Sequence, residues 1–217
     1  MTLPPATRYP GYDVLNKRDT VSWDNATRAV IDARLAVSSD PAFFNSVEWR
    51  ALIALCACIV PQRSDASQIP VAALVDAKLS ANHSDGYRDA RLPRLRDAWR
   101  RGLAALDAES RKRFELPFAS LGEEPQIALL KAMQAGDGHA DNWQGMPSKL
   151  FFSERVLHDI CGAYYSHPYA WSQIGFGGPA NPRGYVRMTV DRRDPWEAVE
   201  ASDGDEGNAR KENQHAR

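Results

Sequence analysis

The chain has 217 residues, of which 43% are hydrophobic, and sets 27 lysines and arginines against 28 acidic residues for a formal net charge of −1. That length carries one substantial core, and the balanced charge excludes a global attraction for nucleic acid or anionic lipid, so partners must be met through local surfaces. No apolar run reaches the ~18 residues that a bilayer crossing takes, and no direct membrane insertion is expected.

Residues 1–21 are rich in proline and tyrosine without a period and read as an extended N-terminal arm, with Tyr9 and Tyr12 as rings able to pack on something. "MTLPPATRYPGYDVL" has neither a charged segment leading into an apolar one nor a twin-arginine pair, so the chain as given reads as cytoplasmic. From Trp23 the pattern turns helical: Ala26, Ala29, Val30, Ala33, Ala36 and Val37 line one face, with Ser22 as N-cap. Ser46 then caps a second helix, stopped by Pro61, with Trp49, Leu52, Ile53, Cys56, Ile59 and Val60 directed inward. Its apolar surface runs nearly all round, which marks it as central.

Pro70 suits the first turn of a third helix bearing Val71, Leu74, Val75 and Leu79. Pro93 opens a long helix whose Leu95, Ala98, Trp99, Gly102, Leu103 and Leu106 form one stripe, with arginines 94, 96, 100 and 101 on a solvated face. Ser110 reads as the cap of a shorter helix through Phe114 and Phe118, and Pro125 as the start of another that stops at Gly136. "GDGHADNWQGMP" is a loop, and a last helix runs from about Phe151 to Tyr165. The sum is an all-α single domain, a bundle of about seven helices over residues 22–167. An irregular arm rich in glycine, proline and aromatics follows over 168–194, and a tail over 195–217 with too little apolar surface to offset its ordering entropy is expected to be disordered.

Motifs that carry chemistry are scarce. "GFGGPA" (Gly175–Ala180) matches the glycine spacing of a dinucleotide loop, but a helical pattern precedes it and Pro179 and Pro182 deny it the following helix. No G-x-S-x-G elbow is present, and His83, His139, His158 and His167 are scattered without ligand spacing. Asp137, His139 and Asp141 lack the later glutamate of a calcium loop, and Asp76, Glu48 and Glu154 fall on helices where caps or surface positions suffice. The three cysteines, Cys56, Cys58 and Cys161, sit in helical patterns and read as free thiols. No catalytic, cofactor-binding or metal-binding residue is therefore assigned to this chain.

The aromatic density is more telling. Trp171, Phe176 and Tyr185 alternate with glycine, proline, Arg183 and Arg187, a composition that suits protein interfaces and equally suits an arm folded over its own bundle.

The stretch "AYYSHPYAWSQIGFGGPANPRGYVR" (Ala163–Arg187) resembles the C-terminal signature of the gluconate 2-dehydrogenase subunit 3 family, and the likeness continues in "FFNSVEWRALIALCACIVPQ", "IPVAALVDAKL" and "WRRGLAALD". The resemblance implies a non-catalytic small subunit that binds and stabilises a large dehydrogenase subunit of the glucose-methanol-choline type. In such complexes the large subunit carries FAD, a cytochrome c subunit often takes the electrons onward, and a twin-arginine signal commonly places the assembly in the periplasm. The contact residues expected on this reading are Trp171, Phe176, Arg183, Tyr185 and Arg187, with Tyr9 and Tyr12 behind them. Its rivals are a stand-alone helical enzyme holding a flavin or phosphate ligand at the glycine-rich arm with His167, and a chaperone that leaves once the partner is assembled or exported.

Overall fold

The computed structural model describes residues 8–64, 68–184, 186, 189 and 192–216, and Tyr185 and Arg187 lie outside the described residues. Its helices in chain order are α1 (Asn25–Leu35), α2 (Ser46–Ile59), α3 (Val71–Ser80), α4 (Leu95–Phe114), α5 (Glu123–Ala135), α6 (Ala140–Trp143), α7 (Ser148–Phe151), α8 (His158–Tyr165), α9 (Pro168–Ile174) and α10 (Glu206–His215). Short 3-10 turns occupy Val14–Lys17 and Phe118–Ser120, and a π turn, Phe152–Leu157, joins α7 to α8. Among the described residues there is no strand, and the fold is all-α. The chain forms two compact units, Met1–Ala36 with Tyr165–Arg217, and Val37–Tyr164.

The Val37–Tyr164 unit is built on α4. The stripe expected from its spacing is the stripe observed: Leu95, Ala98, Trp99, Gly102, Leu103 and Leu106 are all buried. Trp99 stacks edge to face on Phe151 with ring centroids 5.6 Å apart, and its indole Nε1 donates to Asp159 Oδ2 at 2.7 Å. Gly102 is needed because a Cβ there would lie 2.1 Å from Phe151 Cζ. Helix α2 packs against α3, α4, α5 and the Phe118 turn, the central place its composition predicts.

Caps explain where these helices begin. Asn45, not Ser46, caps α2: its side chain accepts from the Val47 and Glu48 amides while Glu48 reaches back to the Asn45 amide, a full capping box. Asp24, not Ser22, caps α1. Ser110 starts no helix. It lies inside α4 and its hydroxyl donates to Leu116 O, while the chain leaves the helix through a left-handed Glu115. Gly136 ends α5 in the left-handed conformation, as the sequence predicts.

In the other unit α1 buries Thr27 and Ile31 and leaves Val30 52% exposed, so the alanine face predicted to point inward does not. Alanine methyls offer little area, and Ile31, the large apolar side chain that this helix buries, decides the rotation. Ile31 joins Tyr12, Val14, Trp23, Trp171 and Ala216 in one buried cluster. The tail is not disordered over its described length: α10 forms, and Asn213 accepts from the Val199 amide while donating to Pro10 O and Val199 O. Ala201 N donates to Arg8 O, and Arg8 pairs with Glu200 at 2.6 Å. Polar pairing supplies what the tail lacks in apolar surface, and the N-terminal arm is its template rather than a free extension.

Candidate partner-binding site

The arm beginning at Pro168 opens as a helix, not as an irregular segment. His167 caps α9 by accepting the Tyr169 amide on Nδ1 at 3.3 Å, and Pro168 takes the first helical position, where a missing amide costs nothing. This turn carries Trp171 inward. Its indole Nε1 donates to Tyr165 O at 2.6 Å, Arg34 lies over its ring at 5.6 Å, and it is only 4% exposed. Burial, and then the nearby Arg34 guanidinium, hold the His167 pKa below its usual value, which favours the neutral ring that a cap requires.

Gly175 ends α9 with φ of 69°, and Tyr9 covers it so closely that a Cβ would lie 2.4 Å from the ring. The chain then turns outward. Phe176 stands edge to face on Trp171, centroids 5.7 Å apart, and is 43% exposed, next to Ile174 at 42%. The result is an apolar knob whose inner half is core and whose outer half faces solvent.

Beyond the knob the glycines wrap a cavity of about 180 Å³ lined by Lys17, Phe176, Gly177, Gly178, Arg183, Trp196 and Glu197, among others. Lys17 is buried, its Nζ donating to Gly177 O at 3.0 Å and lying 5.6 Å from the Tyr12 ring centre. Burial, with Arg183 adding repulsion, lowers its pKa to about 8. Arg183 stacks on Trp196 at 3.9 Å. "GFGGPA" thus begins at a helix C-terminus, runs on without regular structure and is followed by a cis Asn181-Pro182 bond; no strand leads into it and no helix opens after it among the described residues. That geometry does not fit a pyrophosphate on helix amides.

The Val37–Tyr164 unit carries its own exposed apolar side chains, Val47 at 51% and Ile53 at 47%. Ile53, expected to point inward, instead lines an open groove with Trp49, Val60 and Ile69. Elsewhere in this unit Asp85, His158 and Asp159 converge closely enough to hold a cation. The Lys78 ammonium already bridges the two carboxylates at 2.7 and 2.9 Å. Burial alone would lower the Lys78 pKa, but its two partners outweigh that and raise it. Two of the acidic residues singled out in the sequence have structural work: Asp76 accepts the amides of Ala42, Phe43 and Phe44, and Glu48 closes the capping box. Cys56, Cys58 and Cys161 are free thiols, and burial pushes Cys56 up to about 12.

Of the predicted contact residues, Phe176 is exposed and Arg183 half-buried, whereas Trp171 and Tyr12 are core and Tyr9 packs over Gly175. Sequence reasoning missed Lys17, because a lone lysine in an apparently extended arm looks solvated, and Trp196, because it borders the presumed tail.

The sequence model of gluconate 2-dehydrogenase subunit 3 matches residues 46–178, from the first residue of α2 to the turn that lines the cavity. No curated protein and no solved structure gives a match.

Proposed function

Because the chain belongs to the gluconate 2-dehydrogenase subunit 3 family, we propose that it is the non-catalytic small subunit of a sugar or polyol dehydrogenase, binding and stabilising the large subunit that carries FAD. The family match over 46–178 carries the proposal. The surface supports it: large apolar side chains stay exposed within the matched stretch, Val47 and Ile53 on one unit and Ile174 and Phe176 on the other. Placing such groups in water gains nothing for the isolated chain, whereas aromatic anchors flanked by arginine are what interfaces use.

Tyr185 and Arg187, outside the described residues, stay in the contact set as the sequence suggests it, and among the described residues burial divides the set in two. Phe176 and Arg183 meet the partner, together with the newly exposed Ile174, while Trp171, Tyr9 and Tyr12 hold them in place from behind. A cytochrome c subunit, where present, takes electrons from the large subunit and needs no group of this chain.

The test is capture of the large subunit through a tag on it. Wild-type chain should co-purify in a fixed ratio together with flavin, and Phe176→Ser should be retained about tenfold less well, the loss of one anchor. Absence of wild-type chain from the captured flavoprotein would refute the subunit reading.

A further inference from the structure

Among the described residues, the cavity behind Phe176 brings together two cations, Lys17 and Arg183, that no carboxylate meets at ion-pair distance, although Glu197 attracts Lys17 and Asp194 attracts Arg183 through space. Lys17 is 2% exposed, so its ammonium has given up most of its water, and it has one hydrogen bond, to Gly177 O, for three donors. Arg183 lines the same cavity; its guanidinium plane lies on Trp196, and no hydrogen bond or ion pair joins it to a carboxylate. A buried ammonium with donors left over is costly, and natural proteins supply acceptors for them.

Glu197 is the acidic side chain among the described residues lining the cavity, and the backbone already engages one of its oxygens. Glu197 Oε2 accepts the Asp194 amide at 2.6 Å. Asp194 is likewise buried and accepts the Val186 amide. The Tyr12 hydroxyl, below Lys17, is buried without a hydrogen-bond partner. The carbonyl end of α9 does not oppose an anion strongly, because Trp171 O already accepts the Gly175 and Phe176 amides and Lys17 itself covers Gly177 O.

We propose that this cavity is a binding site for a small oxyanion, a carboxylate or phosphate group, held between the Lys17 ammonium and the Arg183 guanidinium. At about 180 Å³ it is smaller than the ~300 Å³ at which sites for drug-sized ligands begin, so the ligand is a small acid rather than a nucleotide. Arg183 offers planar paired donors, Lys17 a point charge, and the glycines let backbone approach without side chains in the way. A Cβ on Gly177 would stand 3.3 Å from Lys17 Nζ and crowd that amine. The proposal does not rest on the subunit reading, since it concerns groups of this chain alone.

The experiment is a titration of the full chain, labelled at lysine side chains for NMR, with inorganic phosphate and separately with acetate, using chloride at matched ionic strength as control. A saturable shift of the Lys17 Cε and Nζ signals is expected with at least one oxyanion and not with chloride. Because the anion binds the charged amine, affinity should fall as pH rises through about 8, and saturation should raise the Lys17 pKa by about one unit, a tenfold linkage. Arg183→Gln, at a half-buried position, should fold normally and bind about tenfold more weakly, the usual weight of a charge-assisted contact. Lys17→Met should abolish binding; should that variant fail to fold, Arg183→Gln and the pH profile decide alone. No saturable Lys17 shift with either oxyanion, or an identical shift in Arg183→Gln, overturns the proposal. A shift with phosphate alone assigns the site to phosphate groups, and one with acetate assigns it to carboxylates.

Discussion

Trp171 and Phe176 touch edge to face, yet burial gives them opposite roles. Trp171→Ala removes a buried indole together with its hydrogen bond to Tyr165 O, and should cost about 3–5 kcal/mol of stability in a urea titration. Phe176→Ser should change stability by no more than about 1 kcal/mol, as exposed positions do, while weakening the complex. His167 gives a second prediction at this scale. Its pKa is lowered in the fold by burial and by Arg34, so as pH falls below about 6.5 the unfolded chain takes up a proton that the folded chain resists. Stability should be complete above that pH and decline below it, levelling once the folded pKa is passed. His167→Asn, which keeps a capping side chain, should flatten the difference between urea midpoints at about pH 7.5 and about pH 5.5.

Among the elements, α4 was legible because a long amphipathic run repeats its signal often enough to fix the buried face. Gly102 belongs to that stripe for a reason visible only in three dimensions: Phe151 fills the space a side chain would take. Gly102→Ala should destabilise by about 1–3 kcal/mol despite its better helix propensity, the cost of overpacking; a more stable variant in thermal unfolding would contradict this. Helix α1 was misread because a row of alanines mimics a core face, whereas Thr27 and Ile31 set its rotation. Cap positions slipped by one or two residues where serine stood beside a better acceptor, as Ser46 beside Asn45. The tail was illegible in hydropathy because its order rests on Asn213 and Arg8, polar groups whose partners lie at the other end of the chain. Truncation after Val199 removes the Ala201, Asn213 and Ala216 contacts, and should leave the Tyr12 cluster protease-sensitive; unchanged proteolysis would contradict the role given to α10.

For the whole molecule, the matched stretch takes in most of the Val37–Tyr164 unit and stops within the other at Gly178. The all-α class was readable from periodicity. The family was readable from the motif Ala163–Arg187, which the family match covers as far as Gly178. The division into two units was not, since it depends on chain ends that meet in space, Pro10 with Asn213 and Arg8 with Glu200. Nor was the cavity, whose Lys17 and Arg183 come from opposite termini. On the proposed reading the exposed apolar side chains of the two units are covered by the large subunit, and binding favours that subunit's folded state by mass action.

The most direct measurement of that claim is co-expression of the large flavin-dependent subunit with and without this chain, reading the amount of soluble, FAD-loaded enzyme by gel filtration and flavin absorbance. The account predicts that both chains elute together with bound FAD and that omitting this chain removes most of the soluble holoenzyme. A large subunit that folds, loads FAD and turns over equally well alone would contradict it.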